Sequence, residues 1–241
     1  MSDAIKNYRN MVEQPWGKMF YELIFEQLDL PDDQRLKILD FGAGFGITAD
    51  HCAMSHDVTA LEPNDEMRSL RIESDAYTLI GKGIDHLSSM DGNLFDLVIC
   101  HNVLEYAEDK EEILTQLVRV LKPGGRLSIV KHNLCGRVMA SAVLQDDPKT
   151  ALSLLNQEEE NNSLFGKRDV YSNEWITNLL EEKMTLENTY GIRTFFGLSS
   201  NNEIKYTDDW YRSMLELETK TYSMDEYKKV SFFNHLIFMK K

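Results

Sequence analysis

Between residues 37 and 132, short apolar runs alternate with stretches of helical period, and few folds accommodate that rhythm. "KILDFG", "DVTALEP", "YTLIGK", "FDLVICH" and "GRLSIVKH" each suit a strand buried on both faces. Residues 47–54 and 65–74 read as the intervening helices. "DKEEILTQLVRVLKPGG" reads as another, with Ile113, Leu114, Leu117, Val120 and Leu121 on one face and two glycines as its stop. Strands and helices alternating in this way predict an α/β chain: a parallel sheet with helices on both faces. At 241 residues the chain is long enough for one such domain with a substantial core.

Outside that stretch the pattern changes. Residues 16–28 carry Trp16, Met19, Phe20, Leu23, Ile24 and Leu28 at helical spacing before "DLPDDQ" breaks the period, so residues 1–35 form an amino-terminal helical segment. Residues 133–170 interrupt the rhythm with "QDDPKT" and the acidic, polar run "NQEEENNS"; they read as a helical insertion or lid over the strand ends, with Glu158 to Glu160 on a solvated face. Regular structure resumes over residues 171–241, with a helix at 172–182, "LENTYGIRTFF", a helix through "WYRSMLELETK" and a closing strand "HLIFMKK".

Composition removes several classes. No apolar run approaches the length of a membrane span, and "MSDAIKNYRNMVEQ" lacks the apolar centre of a secretion signal. Cys52, Cys100 and Cys135 are scattered without metal-ligand spacing, so no metal and no disulfide framework is expected, and a reducing cytoplasm fits. With 26 basic and 40 acidic residues the net charge is −14, so any contact with a phosphate backbone requires a local basic patch. Lys131, Arg137, Lys149, Lys167 and Arg168, in or beside the insertion, are the candidates for such a rim.

Chemistry concentrates in "KILDFGAGFGITADH". Strand, glycine turn and helix bring main-chain N–H groups and a helix N-terminus to the end of the first strand. Glu62 closes the second strand about 20 residues downstream, where a carboxylate can accept both hydroxyls of a ribose. The glycines run G-x-G-x-G rather than in the dinucleotide pattern G-x-G-x-x-G. Asp40 just ahead of them suits a cationic amine and opposes phosphate. S-adenosylmethionine combines a ribose, an adenine and an amine with no phosphate, so it is the expected cofactor, and a nicotinamide dinucleotide is disfavoured.

Together "ILDFGAGFG", Glu62, "FDLVICHNVLEYAED" and "LKPGG" resemble the class I S-adenosylmethionine-dependent methyltransferases. The resemblance implies a Rossmann-like, mostly parallel seven-stranded sheet with a cofactor-binding core over residues 36–132. It implies that Asp40, Gly42 and Gly44 lie along the methionine part and that Glu62 holds the ribose. Ile84 and Asp85 would flank the adenine, and His101 and Asn102 would face the methionine and sulfonium end. "KHNLCGRVMASAVLQDD", together with "YGIRTFF" and "YRSMLELETKTYSMDEY", is similar to the bacterial tRNA 5-carboxymethoxyuridine methyltransferases. That narrower resemblance implies esterification of a carboxylate on a wobble uridine, hence tRNA as partner. An ionised carboxylate requires no general base, which suits the lack of an evident catalytic dyad in the sequence. Arg193 is the candidate to orient it through paired hydrogen bonds, with Asn133 and His132 lining the entrance. A small-metabolite methyltransferase and a cofactor-binding protein without transfer activity are the alternatives.

Overall fold

A computed structural model describes residues 3–71, 74–156 and 169–241. In chain order the elements are α1 (Asp3–Val12), α2 (Pro15–Leu28), β1 (Lys37–Phe41), α3 (Ile47–Ala53), β2 (Asp57–Leu61), α4 (Asp65–Ser69), β3 (Thr78–Ile80), α5 (Ile84–Ser89) and β4 (Phe95–His101). They continue with α6 (Lys110–Val120), β5 (Leu121–His132), α7 (Leu134–Met139), α8 (Pro148–Leu155), α9 (Asn173–Leu180), β6 (Met184–Ile192), α10 (Asp208–Thr221), α11 (Asp225–Lys228) and β7 (Phe233–Lys240).

All seven strands join one sheet in the order β3-β2-β1-β4-β5-β7-β6. The β3-β2-β1-β4-β5 block is parallel. Strand β7 runs antiparallel to both β5 and β6. The Rossmann-like, mostly parallel architecture expected from the sequence is therefore the one observed. The successive apolar residues of β1 and β4 divide between two cores. Leu39, Phe41, Val98 and Cys100 pack with Leu114, Leu117 and Val118 of α6 on one face. Ile38, Leu97 and Ile99 pack with Met19, Leu23, Ile24 and Leu28 of α2 on the other. Burial on both faces is why these strands read as continuous apolar runs instead of alternating ones.

Several boundaries shift for local reasons. Helix α6 ends at Val120 rather than at the glycines, because Pro123 follows and β5 has already begun at Leu121. The pairing of β4 with β5 then slips between Phe95 and Leu97, which absorbs "KPGG", with Gly124 at φ +73. Helix α4 stops at Ser69, short of the expected 74, and Leu70 closes it with a tight turn onto Met67 O. Helix α1 falls within the amino-terminal segment expected to be helical, though no apolar period located it there, and it matters for the site.

Strand order reverses direction at β1, whose neighbours β2 and β4 come from opposite sides of the crossover. A parallel sheet opens a crevice at the carboxyl ends of its strands at such a point. The carboxyl ends of β1, β2 and β4 carry Asp40, Glu62 and His101.

Candidate active site

The loop after β1 is built around glycine for two independent reasons. Gly42, Gly44 and Gly46 sit at φ +77, +57 and +77, in the left-handed region that L side chains resist. Space is also missing: a Cβ on Gly42 would lie 2.4 Å from Val103 Cγ2, and one on Gly46 would lie 2.1 Å from the Tyr77 hydroxyl. The loop is tied to β2 as Gly42 N and Ala43 N donate to Leu61 O at 2.8 and 3.0 Å.

Glu62 completes the brace. Its Oε2 accepts from Gly44 N and its Oε1 from Asn64 N, each at 2.8 Å. Burial raises its pKa, opposed by those two N–H groups. Each oxygen still has a second lone pair, so the carboxylate can accept a ligand's hydroxyls without leaving the turn. Asp40 is 3% exposed, and burial followed by the charge of Glu62 pushes its pKa up to about 7. Its Oδ2 is buried without a hydrogen-bond partner.

These groups border a cavity of about 240 Å³. Of the residues expected at the cofactor, Asp40, Gly42, Gly44, Glu62, His101 and Asn102 line it. Ile84 and Asp85 do not. They form the first turn of α5 behind Gly83, which abuts Pro63, itself a wall residue, so they flank the cavity without entering it. The sequence reading missed the aromatic half of the wall: Tyr8 from α1, Phe20 and Tyr21 from α2, Phe45 and Tyr106. Tyr8 packs against Phe45, which lies between Gly44 and Gly46, with tilted rings whose centroids are 5.4 Å apart, so α1 rests on the glycine turn at the cavity wall. Among the described residues none from the 133–170 insertion lines this cavity.

The lining fits a cationic nucleoside. It offers carboxylates for hydroxyls and an amine, aromatic faces that favour a neighbouring cation, and, among the described residues, no lysine or arginine for a phosphate. Burial disfavours the protonated form of His101. Burial, reinforced by His235, holds its pKa well below the ordinary value, and its Nε2 lies 2.7 Å from Ser128 Oγ. Asn102 takes φ +55, a strained value for a residue other than glycine, directly at the cavity wall.

Beyond Phe20 lies a second cluster. Phe20 packs edge-on against Phe233 at 4.9 Å, and Phe233 in turn contacts His132 at 4.6 Å. The Arg193 guanidinium stands over the rings of Phe232, Phe233 and Phe196 at 5.3, 5.8 and 5.6 Å. Arg193 sits at φ +60, and its Nε is buried with no hydrogen-bond partner. Glu218, whose charge it feels, has its oxygens bonded to the N–H groups of Thr194, Phe195 and Phe196 at 2.8 to 2.9 Å. Burial brings the Arg193 pKa down to about 10, so it keeps its charge at neutral pH.

Two expectations on this side need correction. Both hydrogens of the Asn133 amide are taken, by Lys229 O at 2.9 Å and Ser231 O at 2.8 Å, so its side chain ties two loops together and is not available as a substrate donor. The basic rim does not form among the described residues. Lys131 is 2% exposed and points its Nζ at His132 O and the Tyr171 ring, and Arg137 is buried too. Lys149 is exposed, while Lys167, Arg168 and the run Glu158 to Glu160 lie outside the described residues.

A carboxylate–histidine pair that the sequence did not reveal joins β5 to the turn after β4. Glu105 Oε1 accepts from His132 N at 2.6 Å and pairs with His132 Nδ1 at 2.8 Å. The pair holds the Glu105 pKa below its ordinary value against the opposing effect of burial. Among the described residues no cluster of histidine, cysteine or carboxylate suits a metal, and no helix is long and apolar enough to cross a membrane.

Residues 39–129 match the model of the methyltransferase domain family. Over 97% of its length the chain is 26% identical to the tRNA 5-carboxymethoxyuridine methyltransferase of Escherichia coli K12, covering 92% of that protein. It is 32% identical over 55% of its length to the ubiquinone biosynthesis O-methyltransferase of Rickettsia conorii, covering 49% of that protein. The crystal structure of an S-adenosylmethionine-dependent methyltransferase from Mesorhizobium loti superposes with a TM-score of 0.58 at 18% identity, over 90% of this chain and 97% of that one. At that identity the superposition speaks to the fold.

Proposed function

We propose that this chain, an S-adenosylmethionine-dependent methyltransferase, esterifies a carboxylate, with 5-carboxymethoxyuridine at the tRNA wobble position as the leading acceptor. The observation that carries the reading is Arg193: a charged guanidinium caged by three phenylalanine rings, with Nε unpartnered and, among the described residues, no carboxylate hydrogen-bonded to it, Glu218 acting only through its charge. A planar fork of donors left open in an apolar setting matches a carboxylate bidentately. The relative from Escherichia coli, matched over 97% of this chain, is what supports tRNA as the carrier of that group, since no basic face among the described residues does.

When bound, the cofactor supplies a methyl group on a sulfonium. The chain's residues would do the rest. Glu62 would hold the ribose hydroxyls and Asp40 the amine, while Phe20 and Tyr21 keep water from the transfer path. Arg193 would fix the acceptor carboxylate in line, an arrangement that lowers the barrier by removing orientational freedom. No proton needs to move, because the carboxylate is ionised at neutral pH.

The Glu105–His132 pair favours a second reading. Glu105 holds the His132 ring through Nδ1, an orienting contact of the kind a histidine serving a hydroxyl acceptor would have. The partial relative in ubiquinone biosynthesis is an O-methyltransferase by name.

Mass spectrometry of tRNA nucleosides from cells lacking the gene tests the leading reading, which expects loss of one methyl ester; an unchanged profile turns the search to hydroxyl-bearing metabolites. In the purified protein Arg193→Ala is expected to cut turnover about 100-fold or more while affinity for S-adenosylhomocysteine stays within about twofold. Unchanged turnover removes Arg193 from the mechanism.

A further inference from the structure

A line of hydrogen bonds crosses the sheet beneath the cavity, and its direction can be read from one end to the other. It begins at Gly191 O, which accepts from Gln27 Nε2 at 3.0 Å. A carbonyl can only accept, so that contact fixes which end of the Gln27 amide is nitrogen. Gln27 Oε1 then faces His235 Nδ1 at 2.9 Å, so His235 carries its proton on Nδ1. Buried His235 is neutral, so its Nε2 is an acceptor, and the single hydrogen of Ser128 Oγ, 2.7 Å away, goes to it. Ser128 Oγ is left with lone pairs only, and His101 Nε2, also 2.7 Å away, must be the donor to it. His101 is neutral as well, which leaves Nδ1 as a bare lone pair, buried and without a partner.

From this we infer that Gln27, His235 and Ser128 are positioning residues whose function is to hold His101 in its Nε2–H tautomer, so that Nδ1 accepts a hydrogen bond from the primary ammonium of the bound cofactor. His101 lines the cavity, and so do the two other residues there with unpartnered buried oxygens, Asp40 through Oδ2 and Asn102 through Oδ1. An ammonium group has three hydrogens to donate, and each of these three atoms is an acceptor lacking a donor. A histidine free to change tautomer would present N–H to that cation in a fraction of molecules and repel it. The inference rests on the cofactor assignment and deepens it, giving a purpose to a buried polar line that neither the glycine turn nor the acceptor side requires.

The test has two arms. The first uses the unaltered protein, labelled with nitrogen-15 at histidine. Long-range proton–nitrogen spectra are expected to show His101 protonated at Nε2 and bare at Nδ1, with the Nδ1 resonance moving upfield on saturation with S-adenosylhomocysteine. The second arm compares S-adenosylhomocysteine with 5′-methylthioadenosine, which lacks the amino-acid part. Ser128→Ala is expected to weaken the former about tenfold and the latter by less than about twofold. An Nδ1–H tautomer, an Nδ1 resonance unmoved in the saturated complex, or equal weakening of both nucleosides overturns the positioning role. Failure of the unaltered protein to bind either nucleoside overturns the cofactor assignment and this inference with it.

Discussion

Asp40 should make cofactor binding depend on pH in the neutral range. Its carboxyl is held near pKa 7 by burial first and by Glu62 second. A cationic amine beside it would favour the ionised form, so binding requires a proton to leave whenever Asp40 starts protonated. If only the ionised form binds, the apparent Kd rises by the factor 1 + 10^(pKa − pH). That factor is about 1.1 near pH 8 and about 11 near pH 6, a loss of about tenfold or about 1.4 kcal/mol. The other groups that face Asp40 do not confuse the sign. Tyr21 on α2, Cys52 on α3 and Cys100 on β4 all have raised pKa values and stay neutral throughout. His101 stays neutral because its pKa is low, and Glu62, itself raised, acts in the same direction as Asp40. Calorimetric titration with S-adenosylhomocysteine, repeated in buffers of different ionisation enthalpy, reads both the affinity and the released proton. Asp40→Asn should bind more weakly near pH 8 and lose most of the slope. Flat affinity in the unaltered protein between about pH 6 and about pH 8 refutes the account. Without ligand, the raised carboxyl stabilises the fold fully below about pH 4, and that contribution is lost as pH rises through about 7.

Gly46→Ala combines a positive φ with a Cβ that would meet the Tyr77 hydroxyl at 2.1 Å; chemical denaturation should show a loss of about 1–3 kcal/mol, with part recovered when Tyr77→Phe is added. His235 is buried with its pKa lowered to about 3, so the unfolded chain binds the extra proton and stability falls as pH drops from about 6.5 toward that value. Denaturation midpoints for His235→Gln should fall less steeply over that interval than those of the unaltered protein, and parallel slopes would exclude the assignment. His132→Gln separates the two acceptor classes: with a carboxylate acceptor kcat at saturating cofactor changes by less than about fivefold, whereas loss of a general base costs about 10²–10⁴.

Where the sequence was legible, the signal was local. The parallel strands were visible because each is an apolar run bounded by turn residues, and the glycine turn because positive φ restricts what can stand there. The carboxylates at the ends of β1 and β2 followed from spacing within that unit. Helix α1 lay within the segment expected to be helical but was not located, because its apolar stripe is narrow and only Ile5 of its residues is buried. Its contribution, Tyr8, is defined by Phe45 on another element. Phe20 was placed on the helix face correctly, yet nothing local distinguishes a core aromatic from one at a cavity wall. Lys131 shows the opposite error. A lysine near a polar insertion suggests a surface, but β5 is an inner strand, and the side chain is trapped between Tyr171 and the Glu105–His132 pair. Asn133, Glu105 and the line from Gln27 to His101 are set by partners many residues away, and no periodicity reports such contacts.

On the reading proposed above, the two clusters at the ends of the inner strands would serve a cation and an anion side by side. On the cofactor side the unpartnered groups are acceptors: Asp40 Oδ2, His101 Nδ1 and Asn102 Oδ1. In the second cluster they are mixed: Arg193 Nε is a donor, Thr194 Oγ1 beside it can donate or accept, and Glu105 Oε2 of the pair with His132 is an acceptor. Phe20 and Phe233 stand between them, with Phe20 in the cavity wall and Phe233 under the guanidinium. A sulfonium and a carboxylate attract each other, and in water that attraction is screened. In a setting lined by aromatic rings it strengthens, while the hydration of the carboxylate is removed and replaced by fixed donors. An acceptor that arrives uncharged gains nothing from Arg193, and a phosphate meets carboxylates on the cofactor side. On that reading, the acceptors lining the cavity would favour a positively charged nucleoside, and the Arg193 guanidinium would favour an anion.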